Sequence, residues 1–231
     1  MKKLVVLTGA GISAESGIKT FRDTNGLWEG HDVMQVASPE GYLANPALVL
    51  DFYNQRRKQL LEVFPNKAHF NLAHLENNFD VKIITQNVDD LHERAGSSSV
   101  IHLHGELLKA RSTIDENDVL DWQKELVLGD LCSKKSQLRP HIVWFGEMVP
   151  LLEKAIEITQ NADILIIIGT SMQVYPAASL IDFVEPNTPI YFIDPKPVVS
   201  ENNFNNLTII TAIASSGTDQ LISYLKVKNS L

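Results

Sequence analysis

The run Ile164-Leu165-Ile166-Ile167-Ile168 is apolar at every position and β-branched at four of the five. A strand with one wetted face alternates polar and apolar residues, whereas a strand this uniform needs cover on both faces. Shorter runs of similar character recur at 4–7, 81–84, 100–103, 142–145, 190–193 and 207–210. Between them lie helical patterns at about 46–63, 69–77, 151–160, 177–183 and 218–224. Strand–helix alternation of this kind predicts an α/β fold, a Rossmann-like parallel sheet with helices on both faces. Two stretches break the alternation. Residues 23–64 open with a Gly/Asn-rich loop and continue as helix, and residues 111–139 are polar with no clear strand. They are expected to be two insertions that form a small second lobe, leaving about 1–22, 65–110 and 140–231 as the large lobe of a single unit.

Composition narrows the function classes. At 44% hydrophobic and 21% charged residues the chain has ordinary globular composition. A net charge of −8 disfavours broad binding to nucleic acid or to an anionic membrane. The N-terminal apolar run stops at Leu7, too short for a secretory segment, and no run is long enough to span a bilayer. The expectation is a soluble cytoplasmic protein, working as a monomer, without nucleic-acid or membrane partners. A single cysteine, Cys132, excludes an intrachain disulfide and a Cys-rich metal cage.

Polar residues gather at the ends of the predicted strands. The first strand runs into Gly9-Ala10-Gly11-Ile12-Ser13-Ala14, which fits the G-x-G-x-x-G/A pattern. In that pattern Gly9 allows a tight turn, Gly11 lets a pyrophosphate approach the backbone, and a following helix N-terminus favours the anion; the plain alternative is a Gly-rich turn. The acid that a hydride-transfer domain carries some 20 residues on, after a second strand, is missing, which argues against a dehydrogenase. A better ribose partner is Asp194, after the strand Tyr191-Phe192-Ile193. Gln86-Asn87-Val88-Asp89, His104-Gly105 and Gly169-Thr170-Ser171 follow three other strands, where an open α/β sheet binds its ligand. Taken singly, these are turn formers and caps. Among the seven histidines, His69 and His74 are expected at the surface. His102 and His104 alternate on one strand face, as a conceivable metal pair without a third ligand or as a site for a general base.

These segments together resemble the sirtuins, the NAD-dependent protein lysine deacylases, most closely their bacterial CobB-type members. The resemblance is carried by Gly9–Ser13, by 17–22 (Gly-Ile-Lys-Thr-Phe-Arg), by Thr85–Asp89, by 104–107 (His-Gly-Glu-Leu), by Arg139-Pro140-His141 with Val143-Trp144-Phe145-Gly146-Glu147, and by Gly169–Ser171, in the family's order across about 4–225. It implies that Gly9, Ala10, Gly11, Ser13, Ala14 and Arg22 hold the NAD pyrophosphate side, with Phe21 and Trp28 enclosing the cofactor. It implies that Gln86, Asn87 and Asp89 surround the nicotinamide ribose. Gly169, Thr170 and Ser171 would meet the phosphate and adenosine side, Asp194 the adenine ribose, and Ala214 the adenine. His104 would be the general base, with Asn87 also in the catalytic set. Val143–Glu147 would pair with the substrate backbone as an added strand. NAD would be consumed as co-substrate, giving nicotinamide, free lysine and O-acyl-ADP-ribose.

Two departures stand out. Most sirtuins carry zinc cysteines in the insert, and here Ser112 stands where the first is expected, so no zinc is expected. The insert would instead pack through Leu120, Trp122, Leu126, Val127, Leu128 and Leu131. Phe192 occupies a position often held by Asn and is expected to cost a polar contact to the adenine ribose. Tyr53 and Arg56, at i and i+3 of a helix, match the pair with which one sirtuin subgroup binds malonyl and succinyl carboxylates, and Ala37 matches the small residue that widens that pocket. The neighbouring Arg57 points about 100° away. The expected activity is therefore deacylation of succinyl-, malonyl- and acetyl-lysine in proteins or peptides. ADP-ribosyl transfer to protein and a non-catalytic NAD-binding module are the alternatives.

Overall fold

The computed structural model describes residues 1–19, 27–28, 30–199 and 206–229, with backbone alone for 27–28 and 227–229. Its centre is a six-stranded sheet built from β1 (Lys3–Thr8), β4 (Asp80–Thr85), β5 (Val100–His102), β9 (Ile164–Ile168), β10 (Ile190–Ile193) and β11 (Leu207–Ile210). Their order is β11-β10-β9-β1-β4-β5 and every pairing is parallel. The uniform apolar run of β9 pairs with β1 on one side and β10 on the other, and all five of its side chains are buried. Alternate residues feed two cores. Leu4, Val6, Ile166 and Ile168 pack with α4 (Lys67–Leu75) and α7 (Ala214–Asn229) on one face. Val5, Leu7, Leu165 and Ile167 pack with α6 (Leu152–Gln160) and the 3-10 helix Ala177–Phe183 on the other. The expected Rossmann-like layering is therefore present, with a four-residue helix, α5 (Leu91–Arg94), between β4 and β5.

A smaller body sits beyond the strand ends. It contains α1 (Val33–Val36), α2 (Pro39–Ala44) and α3 (Pro46–Glu62), with a two-stranded β2 (Leu27–Trp28) and β3 (His31–Asp32) before them. Ser38 and Asn45 cap α2 and α3, each followed by proline at the first helical turn, so the chain reverses sharply between short helices. The second insertion is not strandless as the sequence reading expected. β6 (Gly105–Ser112), β7 (Val119–Asp121) and β8 (Leu138–Ile142) form an antiparallel sheet in the order β7-β6-β8. Its strands were illegible because they are polar or short, and their pairing is non-local. β8 also ends at Ile142, so the strand expected at 142–145 lies earlier in the chain.

The packing of that insert differs from expectation. Leu126 is fully buried and Trp122 partly so, but Leu120, Val127, Leu128 and Leu131 are exposed. Leu50 of α3, Ala110, Cys132 and Leu138 complete the small core in their place. Asn54 clamps the insert to α3 by exchanging both hydrogen bonds with the Leu126 backbone, at 3.0 and 2.8 Å. His69 is likewise not at the surface. It is fully buried, and its Nδ1 accepts from the Asn66 backbone N–H to complete a capping box at the start of α4, while His74 is exposed as expected. Among the described residues no helix is long and apolar enough to cross a membrane.

Candidate active site

The carboxyl ends of β1, β4, β5, β9 and β10 open onto one cavity of about 570 Å³ between the large sheet and the smaller body. That volume lies in the ordinary range for small-molecule and cofactor sites. On its large-sheet side stand Gly9, Ala10, Gly11 and Ala14, then Gln86, Asn87 and Asp89, His104, Gly169 to Ser171, Asp194 and Ala214. On its other side stand Ala37, Tyr53, Arg56 and the segment 143–147. Every sequence-predicted site residue with a described side chain therefore lines the cavity except Ser13 and His102. Phe21, Arg22 and the Trp28 side chain lie outside the described residues.

The glycines are needed for a different reason than the sequence pattern suggested. Gly9 has extended backbone, open to any residue, and the chain continues as two 3-10 turns (Ala10–Ile12 and Ala14–Ser16), not a helix with a usable N-terminus. What forbids a side chain is the loop after β9. A Cβ on Gly11 would stand 2.5 Å from the Gly169 Cα, and one on Gly9 would stand 2.8 Å from the Gly169 oxygen. The close approach is fixed by Gly11 N–H donating to the Gly169 carbonyl at 2.8 Å, which joins two strand-end loops into one floor. Gly105 is constrained otherwise. Its φ is +82°, and a Cβ would strike the His141 carbonyl, so glycine after His104 is what lets the chain leave β5 and enter β6.

Ser13 connects the site from behind. Asn87 Nδ2 donates to the Gly9 carbonyl at 3.2 Å and to Ser13 Oγ at 3.1 Å, and Ser13 Oγ donates in turn to Asp89 Oδ2 at 2.9 Å. Burial pushes the Asp89 carboxyl up to about 6, against the Ser13 and Leu91 hydrogen bonds that favour its ionised form. Gln86 Nε2 donates to Thr170 Oγ1 at 3.1 Å, tying the β4 and β9 loops together. Asp194 is buried at the end of β10, where its Oδ1 accepts from the Lys196 backbone N–H at 2.8 Å. Phe192 does not line the cavity. It alternates with Ile193 along β10 and packs in the opposite core, so the expected loss of a ribose contact at this position is not supported.

His104 has the geometry of a base. Its Nδ1 lies 2.9 Å from the Gln86 carbonyl oxygen, which can only accept, so Nδ1 carries the proton and Nε2 keeps its lone pair. Burial lowers its pKa below the ordinary imidazole value, opposed by that hydrogen bond, so the ring is neutral near pH 7. His102 faces a different set of groups, with Glu93 as the acidic partner that sequence spacing did not reveal, 2.8 Å from its Nε2. Among the described residues no group of three His, Cys, Asp or Glu is placed to hold a metal ion.

The opposite wall is a stack of aromatic and cationic groups. Tyr53 is completely buried, and its hydroxyl accepts from Trp144 Nε1–H at 3.0 Å. Arg56 lies one turn on, half-buried, its guanidinium 5.3 Å from the Phe52 ring centroid. The Arg139 guanidinium lies over the Trp144 ring, 3.3 Å from its centroid. The segment 143–147 is a turn, not a strand. Val143 N–H donates to the His104 carbonyl and Phe145 N–H to the Ala37 carbonyl, both at 2.9 Å. The Glu147 carboxylate accepts from Arg139, Arg111 and the Trp144 backbone N–H. Glu147 thus braces the turn through its side chain. Arg57 was expected to be idle, yet only 1% of it is exposed; it donates to the Leu107 carbonyl at 3.2 Å and to Asn54 Oδ1 at 2.7 Å, bridging α3 and β6. Asn54 is a neighbour one turn back on α3, but the Leu107 acceptor lies 50 residues away in sequence, so the local pattern gave no sign of it.

Residues 9–176 match the Sir2 family. An NAD-dependent protein deacylase of Helicobacter pylori is 68% identical over 196 residues, covering 85% of this chain and 86% of its own length. One from Bacteroides thetaiotaomicron is 54% identical over 227 residues, covering 96% and 97%. A solved Sir2 homologue in complex with NAD is 40% identical, with a TM-score of 0.87, covering 98% of this chain and 90% of that one.

Proposed function

This chain belongs to the Sir2 family and is an NAD-dependent protein deacylase, and we propose that its acyl pocket takes succinyl and malonyl groups as well as acetyl. The observation that carries this reading is that Tyr53 and Arg56 line the same cavity as His104. A guanidinium and a phenol on one helical face offer a carboxylate one charged and one neutral donor. Ala37, on the same wall, leaves room that a larger side chain would fill.

The donor set fits NAD. Buried amide, carboxylate and hydroxyl groups line the sheet side, and Ile193 and Ala214 offer apolar contact beside Asp194. NAD supplies an ADP-ribosyl centre from which nicotinamide departs. Gln86, Asn87 and Asp89 would orient the nicotinamide ribose, the Gly9–Gly11 loop with Thr170 would take the pyrophosphate, and Asp194 would accept from the adenine ribose hydroxyls. His104 Nε2 would remove a proton from a ribose hydroxyl, for which a neutral imidazole at pH 7 is suited. Trp144, held between Arg139 and Tyr53, would form one wall of the channel for the lysine stem.

We further propose that the insert holds together without zinc, that the protein acts as a monomer and that it acts in the cytoplasm. The single cysteine and the small core around Leu126 support the first of these. Nicotinamide release measured side by side with acetyl-, succinyl- and malonyl-lysine peptides tests the acyl assignment. Turnover of all three supports it, and turnover of acetyl peptide alone refutes it.

A further inference from the structure

Two consecutive carbonyls at the end of β4 are each held by a histidine from the end of β5. Gln86 O lies 2.9 Å from His104 Nδ1, and Asn87 O lies 3.0 Å from His102 Nδ1. His102 is buried and does not line the cavity. Its other ring nitrogen is 2.8 Å from Glu93 Oε1 on α5. Both partners of His102 are acceptors, since neither a carbonyl oxygen nor an ionised carboxylate has a proton to give. With Glu93 ionised, His102 satisfies both only as the imidazolium, with a proton on each nitrogen.

We propose that the Glu93–His102 ion pair is a positioning device that fixes the Gln86–Asn87 segment for NAD, and that it does so only while His102 is protonated. The inference rests on the NAD-consuming reading above. When His102 loses a proton, one N–H remains for two acceptors. The carboxylate is the stronger acceptor and keeps it, so a lone pair then faces the Asn87 carbonyl. The consequence spreads, because the Asn87 side chain donates to Gly9 O and Ser13 Oγ, and Ser13 supports Asp89. The charged and titratable groups acting around His102 are Glu93 and His92 on α5, Asp89 on the loop after β4, and Glu106 on β6. Burial pulls against its imidazolium, but the hydrogen bond and charge of Glu93 together with the Asn87 carbonyl outweigh it, and the pKa is raised above the ordinary histidine value. His92 is held neutral by burial and adds no opposing charge near pH 7.

The test compares wild type, Glu93→Gln and His102→Gln by NAD affinity and by KM and kcat with an acetyl-lysine peptide, from pH 6.5 to 9.5, with the melting temperature of each. Wild-type NAD affinity should fall by about tenfold as pH rises through the His102 titration, the loss expected for one hydrogen bond from a charged donor. Glu93→Gln should remove that alkaline limb. Its amide N–H can donate to Nε2, so neutral His102 keeps Nδ1–H on Asn87 at every pH. His102→Gln should bind NAD about tenfold more weakly at pH 7, with a raised KM for NAD and no alkaline limb. A wild type without the limb, a limb that persists in Glu93→Gln, or a His102→Gln variant changed only in melting temperature would overturn the proposal. If His102→Gln does not fold, the Glu93→Gln profile decides alone. A wild type that shows the NAD-binding profile but releases no nicotinamide with acylated peptide would remove the deacylase reading and leave the positioning device standing.

Discussion

Replacing Arg56 by methionine removes the charged group proposed to meet an acidic acyl chain. Methionine keeps helix propensity and most of the apolar stem, so α3 is disturbed little, although the guanidinium's contact with the Phe52 ring is lost. What is lost is a charged donor at a half-buried position, which on the proposed reading would meet the substrate carboxylate. A hydrogen bond to a charged group contributes about 1.5–3 kcal/mol. At about 1.4 kcal/mol per decade, kcat/KM for succinyl peptide should fall by roughly 10- to 100-fold. Acetyl-peptide turnover should change by less than about twofold, since a methyl group makes no use of the guanidinium. The companion Tyr53→Phe loses a neutral donor and also strips Trp144 Nε1–H of its buried acceptor. It should lower succinyl turnover and cost about 1–3 kcal/mol of stability besides. Arg57 is unsuitable as the neighbouring control, because it is buried, its bond to Leu107 ties α3 to β6, and its bond to Asn54 steadies the side chain that holds Leu126. Lys58, exposed on the same helix, serves instead, and Lys58→Met should leave both activities unchanged. The assay is steady-state nicotinamide release with acetyl and succinyl peptides of one sequence. An equal fall for both peptides in Arg56→Met would show a structural arginine and refute the assignment.

Three further outcomes are expected. His104→Ala should cut deacylation by ~10²–10⁴-fold while leaving NAD affinity near wild type by calorimetry, and near-normal turnover would remove it as the base. Burial pushes His69 down to about 4 and His92 well below the ordinary value, so folding excludes protons that the unfolded chain takes up below about pH 6.5. His69 should therefore withdraw up to roughly 3 kcal/mol of stability as pH falls from 6.5 to 4. Its contribution is opposed in sign to that of Asp89, whose raised pKa favours the folded state in acid. His69→Gln, which preserves the capping-box position, should flatten the melting-temperature profile between pH 6.5 and 5, and an unchanged slope would refute this. Metal analysis of the purified protein should find no stoichiometric zinc, and one zinc per chain lost together with the fold on chelation would show that the insert depends on it.

The residues of the large sheet specify their own layer. A run apolar at every position, as in β9, is stable only with helices on both sides, and that physical demand can be read without knowing the neighbours. The strand-end motifs were legible for a related reason: in a parallel sheet all carboxyl ends point one way, so polar residues after β1, β4, β9 and β10 converge wherever the order places them. Much of the opposite wall depends on packing between distant segments. Arg57 shows no role until β6 supplies its acceptor, and Leu128 and Leu131 read as core but are exposed in the fold. Gly11 is glycine because another loop touches it, not because of its own backbone angles. His102 has no acidic partner in its own strand, and only the turn of α5 brings Glu93 within 2.8 Å. Local pattern determines which faces must be buried; the identity of the atom that meets each polar group is decided by chain segments far apart in sequence, which only the tertiary fold brings together.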